Sequence, residues 1–387
     1  MHFPFRARRE KLFVFGVTPQ RYSSRVTSVC PLDSQPSTLN QNMRVLGLDI
    51  GGANVKAATE TAEALSIPLE IWRSPDRLID VLVPIMDRFS AAELIAVTMT
   101  AELADCFATK ADGIDRVLRT VEVVAGKRPI FVWQTSGEFA STQEARDKPR
   151  LTAAANWHAQ ATFVGRLVPR GSALLIDIGS TTTDLIPLVD GLPLPTGRTD
   201  IERLQSGELV YCGVRRTPLC ALTNCVPLAG TDCGVAAELF ATIFDVYLTL
   251  GDIAENSDDC LTANGRPATL AAAHDRIARS IGGDITEITI ADTRRIAEYV
   301  AATQLHRLCE IADRVASRMP GTCDNVLISG SGSFLARRVA AQSPRLLNAT
   351  ITSLPELFGP RVSDAACAFA VAKLAAEREL PFLGATD

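Results

Sequence analysis

The sequence predicts an α/β protein of two similar halves, each a mixed sheet with helices on its faces. Three observations carry this. An apolar run, Val45–Ile50, ends in Asp49-Ile50-Gly51-Gly52, and the pattern returns as Ala173–Ile178 ending in Asp177-Ile178-Gly179-Ser180. Each run is followed by a return strand and further strand and helix signals, which suits layered α/β packing. A third apolar run, Asn325–Ser329, empties into Gly330-Ser331-Gly332-Ser333.

The elements follow in order. Asn54–Ala58 reads as the return strand and Leu69–Trp72 as a third strand. Ser74-Pro75 reads as a helix N-cap with proline at the first helical position. Leu78, Val81, Leu82, Ile85, Met86 and Phe89 then fall on one helical face. Leu94–Val97 is the next strand, Ile114–Val124 lines a second helix, and Ile130–Trp133 is another strand. In the second half Thr183–Pro187 returns, with a turn at Asp190-Gly191. A less regular stretch, 197–267, ends in helices near Ala236–Leu250 and Thr269–Ile281. A long helix covers roughly Ala291–Arg318 and a last one about Ser363–Glu377. The expected domains are a first lobe at 43–170, a second at 171–361 with an insertion at about 197–290, and a C-terminal segment, 362–387, packing back on the first lobe.

Residues 1–42 differ in composition, rich in Arg, Ser, Pro and Gln with no acid between Glu10 and Asp33. A disordered tail, a targeting segment and upstream sequence from a misassigned start compete. Met43, just before the first strong strand, favours the last.

The 387 residues allow two full cores, and 47% apolar with 21% charged residues is ordinary for a globular chain. A formal charge of −5 gives no reason to expect nucleic acid or an anionic membrane as partner. No apolar stretch is long enough to span a bilayer; the run Phe240–Leu250 carries Asp245 and reads as a buried helix. Scattered cysteines without a secretory signal suggest free thiols and a cytoplasmic location. Cys212, Cys220, Cys225 and Cys233 lack the paired spacing of a zinc site and read as small buried groups. A homodimer is permitted by the sequence and not required.

The three turns carry the chemistry. Glycine lets backbone approach a phosphate closely, and the exposed N–H groups and hydroxyls supply donors. This marks Gly51, Gly52, Asn54, Gly179, Ser180, Thr181, Thr182, Thr183, Gly330, Ser331 and Gly332 as phosphate contacts, with Lys56 on the return strand. Asp49 and Asp177 are placed to hold Mg²⁺ or act as bases, with ATP or diphosphate as the phosphate group. The P-loop signature is missing, which disfavours that class of NTPase. Thr98, Thr100, Glu102 and Asp105 sit on the cleft side of a strand end, where packing or helix-start roles serve equally. His158 reads as a helix-surface or core residue.

With these motifs the chain resembles the actin, sugar kinase and heat-shock chaperone ATPase superfamily. The resemblance implies two ribonuclease-H-like lobes around a phosphate-binding cleft, with its loops at 49–54, 177–184 and 330–333. Ser206-Gly207-Glu208-Leu209-Val210-Tyr211, Gly213–Pro218, Ala155-Asn156-Trp157 and Ser363–Ala368 narrow the match to the hydantoinase A/oxoprolinase group. The short single-chain form is similar to proteins linked with tetrahydromethanopterin-dependent one-carbon metabolism, whose archaeal relatives are methanofuran-biosynthesis synthases. That implies alkyl transfer from a small phosphorylated substrate to a phenol. Arg215 and Arg216 would then hold diphosphate or a glutamyl carboxylate, and Asn156 would also bind substrate. An ATP-dependent hydantoinase or oxoprolinase, a small-molecule kinase and a nucleotide-gated protein without turnover are the rival readings.

Overall fold

The hairpin that opens each half is the element from which the rest is built. In the computed structural model, which describes residues 43–378 and Leu380, β1 (Val45–Ile50) runs into β2 (Asn54–Thr59) and β3 (Ala64–Pro68). Then come α1 (Leu78–Arg88), β4 (Leu94–Met99), α2 (Lys110–Ala125), β5 (Ile130–Trp133) and β6 (Phe139–Ala140). The sheet order is β3-β2-β1-β4-β5-β6, with β1, β4 and β5 parallel and the remaining pairs antiparallel. Three short helices follow, α3 (Thr142–Asp147), α4 (Pro149–Thr152) and α5 (Asn156–Val164).

The second sheet repeats the path. Its first strands are β7 (Ser172–Ile178), β8 (Thr183–Val189) and β9 (Leu192–Pro193), then α6 (Asp200–Ser206) and β10 (Leu209–Val210). A two-stranded ribbon, β11 (Cys225–Leu228) and β12 (Thr231–Gly234), precedes α7 (Ile243–Leu250), α8 (Leu270–Ser280) and α9 (Ile290–Ala316). After these lie β13 (Asn325–Ser329), α10 (Ser333–Gln342), β14 (Thr350–Ser353), α11 (Leu354–Phe358), α12 (Pro360–Asp364) and α13 (Ala366–Ala376). The order β10-β8-β7-β13-β14, with β8 antiparallel to β7 and the next strands parallel, matches β3-β2-β1-β4-β5. Both halves are therefore ribonuclease-H-like.

Three large apolar clusters hold the fold, beside a small one of Phe244, Leu248, Ala268 and Ala273. One lies under α1 and α2 of the first sheet, and another packs α7, α9 and α10 on the second. The third fills the seam between the sheets with α5 and α13. The alanine-rich α13 lies close against β1 because Gly47 has no side chain: a Cβ there would strike the main-chain oxygen of Ala368.

Several expectations are corrected. The third strand is Ala64–Pro68, not Leu69–Trp72, whose amide groups instead bond back to the first turn: Leu69 N–H donates to Ala53 O and Ile71 N–H to Gly52 O, both at 3.0 Å. Ser74 makes no side-chain cap. The helix expected from Ala236 begins only at Ile243, because Thr242 N–H donates to Asp245 Oδ2 at 2.9 Å and closes the N-terminus there. The last helix is broken at Ala365, where Lys56 Nζ takes the Asp364 carbonyl that would have continued the ladder. Among the described residues, no helix is long and apolar enough to cross a membrane. The expectation for residues 1–42 lies outside the described residues.

Candidate active site

The two Asp-tipped turns close in the same way. Gly51 N–H donates to Asn54 O at 2.9 Å, and Gly179 N–H donates to Thr182 O at 2.9 Å. Both turns line one cavity of about 650 Å³. Gly51, Gly52, Asn54, Lys56, Gly179, Ser180, Thr181, Thr182, Gly330 and Ser331 are all on its wall, together with Asp49, Asp177 and Asn156. Gly330 sits at φ +83°, and a Cβ there would stand 2.6 Å from Asp177 Oδ1, so the third turn needs glycine for both conformation and space. The segment after β10 clamps the second turn. Val214 N–H donates to Gly179 O at 3.0 Å, and the Arg215 and Arg216 N–H groups donate to Ser180 O at 3.1 and 2.9 Å.

The charges are tightly arranged. Asp49 has a buried Oδ1 without a hydrogen-bond partner. Burial raises its pKa to about 6, against the pull of nearby Lys56. Asp177 also has an unpartnered Oδ1, and burial, then the Asp184 carboxylate, pushes its pKa up to about 7. Lys56, Ser329 and Gln160 oppose that rise. Gln160 is itself fixed, donating to Ser329 Oγ at 2.8 Å and accepting from Cys367 Sγ at 3.5 Å. Lys56 Nζ lies 3.4 Å from Asp364 Oδ1. Burial works against its charge, but Asp364 and Asp49 outweigh it, so its pKa stands above the ordinary lysine value. Burial raises Asp184 as well, against its ion pair with Arg203 at 2.7 Å.

Three of the residues expected at the phosphate or substrate do not reach the cavity. Thr183 is fully buried and donates to Cys212 O at 2.6 Å. Strand alternation explains this: Asp184 faces the cleft, so its neighbour faces the core. Gly332 is a packing position, since a Cβ would lie 2.6 Å from Ile178 Cγ2 and 2.7 Å from Val214 Cγ1. Arg215 turns away, paired with Asp259 at 2.6 Å and stacked 4.2 Å from the Phe244 ring centroid. Arg216 remains, its guanidinium 4.5 Å from the Trp72 ring centroid.

Other groups enter the cleft wall through tertiary convergence. They include Trp72, Asp184, Arg203, Tyr211, Asp364 and Cys367. Arg203 Cζ lies 4.0 Å from the Trp157 ring centroid, joining α6 to α5. Thr100 and Asp105 line the cavity, whereas Thr98 and Glu102 are buried beside it. Burial lifts Glu102 to about 7. His158, buried on α5 beside Trp157, is lowered to about 4 by burial and then by Arg198, so it is neutral near pH 7. Of the clustered cysteines, Cys212 is buried and Cys220, Cys225 and Cys233 are partly so, all as free thiols.

The donor set suits Mg²⁺. It is all oxygen, and two of its buried carboxylate oxygens, on Asp49 and Asp177, have no protein partner. No group of three or more acidic, His or Cys side chains forms a metal cage among the described residues. Mg²⁺ is commonly bound in that sparse way, by one or two carboxylates with phosphate and water completing its shell.

Comparison with known proteins shows which family the chain is similar to. Residues 93–378 match the hydantoinase/oxoprolinase family. A Methanocaldococcus jannaschii protein is 33% identical over 85% of this chain and 97% of its own length; it is the (4-{4-[2-(γ-L-glutamylamino)ethyl]phenoxymethyl}furan-2-yl)methanamine synthase. The Methanococcus vannielii protein of the same name is 32% identical over 55% of this chain and 95% of its own. Among solved structures, component A of the Acidaminococcus fermentans (R)-2-hydroxyglutaryl-CoA dehydratase covers 87% of this chain and 98% of its own at 12% identity and a TM-score of 0.42. The chain belongs to the hydantoinase/oxoprolinase family.

Proposed function

We propose that this chain is a transferase that joins a γ-glutamyltyramine-like phenol to an aminomethylfuran-methyl diphosphate, in methanofuran-type cofactor synthesis for tetrahydromethanopterin-linked one-carbon metabolism. The observation that carries the reading is the match to the M. jannaschii synthase across 97% of that protein. The cleft chemistry supports it. In the reaction a bond forms between the phenolic oxygen and the furfuryl carbon. The bond from that carbon to diphosphate oxygen breaks, and its electron pair leaves with diphosphate. The phenolic proton passes to a carboxylate.

Glycine-turn amides, Ser180, Thr181, Thr182, Ser331 and Lys56 would hold the diphosphate, with charge stabilisation growing as it departs. Asp49 and Asp177 would hold Mg²⁺, which when bound neutralises the developing phosphate charge. A free phenol has a pKa of about 10, so it needs a nearby acceptor. Asp177 would take that proton through a carboxylate oxygen not engaged by Mg²⁺. The free thiols of the described cysteines fit a reducing cytoplasm.

The test is to incubate the purified protein with both substrates and Mg²⁺, and to follow aryl ether by mass spectrometry and diphosphate by a coupled assay. Stoichiometric ether and diphosphate support the transferase. ATP hydrolysis driven by a cyclic amide, with no ether, would replace it with the hydantoinase-type reading.

A further inference from the structure

The cations on the cavity wall are not equivalent. Lys56 is bound to Asp364 and Arg203 to Asp184. Arg216 has no carboxylate partner among the described residues, although its backbone is fixed to Ser180 O. Its guanidinium lies on the face of Trp72, an arrangement that leaves the N–H edge free to grip a carboxylate as a fork. Trp72 comes from the first half and Arg216 from the second, so the pair spans the cleft.

The surroundings of this cation are largely aromatic and apolar, with one carboxylate, Glu70, near enough to act on its charge but not paired with it. Leu103 and Tyr211 line the same cavity with 51% and 55% of their surfaces open. Asp105, also on the wall and exposed, has no cation partner among the described residues. An unpaired guanidinium, an unpaired carboxylate and open ring-sized apolar surface in one cavity complement an aromatic molecule that ends in an amino-acid head.

Resting on the transferase reading above, we propose that this region selects the acceptor: Arg216, backed by Trp72, takes the carboxylate of its amino-acid head and Asp105 the ammonium. The diphosphate donor has no carboxylate to offer here. Arg216 is thus a specificity residue for the acceptor and not part of the phosphate grip.

The experiment compares kcat/KM for γ-glutamyltyramine and for N-acetyltyramine, which keeps the phenol and amide but lacks the amino-acid head. Each variant is compared between the two acceptors, so its folded fraction cancels. Wild type should prefer the glutamyl acceptor. Arg216→Ala and Asp105→Asn should each reduce that preference at least tenfold, and Arg216→Lys should fall between. Equal losses on both acceptors, with a raised KM for the donor, would assign Arg216 to the diphosphate and overturn the proposal. A wild type without preference would also overturn it. If wild type alkylates neither phenol, the transferase reading fails and the subsite with it. Alkylation with an unaltered preference in the variants sinks the subsite alone.

Discussion

Lys56 and Asp184 occupy the same register position in two copies of one hairpin. Lys56 faces Asp49 across β1 and β2, and Asp184 faces Asp177 across β7 and β8. One copy thus presents a carboxylate with an ammonium and the other a carboxylate with a carboxylate. The duplicated backbone has been given opposite electrostatics, and Arg203 offsets the second copy's extra negative charge. This asymmetry lets two similar aspartates do different work, since paired charges set the proton affinity of each.

Lys56 should be needed for catalysis more than for folding. It joins the first hairpin to Asp364 at the α12–α13 break and is the cation nearest Asp49. Lys56→Met should lower kcat by roughly 10²–10³, the range for losing one preorganised charge-stabilising donor. Circular dichroism should remain native. A variant with near-normal kcat would remove Lys56 from the phosphate grip.

Asp177→Asn should abolish ether formation and change the pH dependence of stability. The folded chain keeps a proton on Asp177 up to about pH 7, whereas an unfolded aspartate releases it near the ordinary 3.8. Between those limits the folded state binds more protons, so this carboxyl costs stability progressively as pH rises and by a constant amount above. The Tm of Asp177→Asn minus that of wild type should therefore increase from pH 5 to pH 8. A flat difference would show that Asp177 titrates as an ordinary aspartate.

Gly330→Ala should damage the site directly. The new methyl would meet Asp177 Oδ1 and Ile178 O, at a backbone angle that disfavours any side chain. Strain of this type costs on the order of 1–3 kcal/mol. The expected result is a stable but inactive protein, seen as native-like far-UV dichroism with diphosphate release near background. Full activity would mean that the third turn is free to move away.

Arg276→Leu should be the most destabilising of these changes while lying far from the chemistry in sequence. Arg276 Nε donates to Asp245 Oδ1 at 2.7 Å, and both side chains are completely buried. Breaking a buried pair leaves an uncompensated charge and costs about 3–5 kcal/mol. Urea denaturation should report that loss. Asp245→Asn with Arg276→Leu should recover part of it.

How much could be read beforehand followed from distance along the chain. The Asp-x-Gly turns were legible because everything that shapes them lies within a few residues. Lys56 was legible for the same reason. Thr183 was assigned to the wrong face, yet Val55, its counterpart in the first copy, already showed that this register position points inward. Arg203, Asp364 and Trp72 were not legible. They reach the cavity from an inserted helix, a helix break and a loop, and no local pattern records that convergence. The helix break at Ala365 was hidden too, since its cause is a lysine about three hundred residues earlier, in β2.

The position of α13 sets a limit on how the chain can be made. This helix packs on β1, from which it is separated by about three hundred residues of chain. Until α13 has been made, β1 lacks the alanine-rich helix that packs against Gly47. Such far-separated contacts slow folding and leave surfaces open to aggregation. Removing α13 would therefore unseal the sheet built around β1.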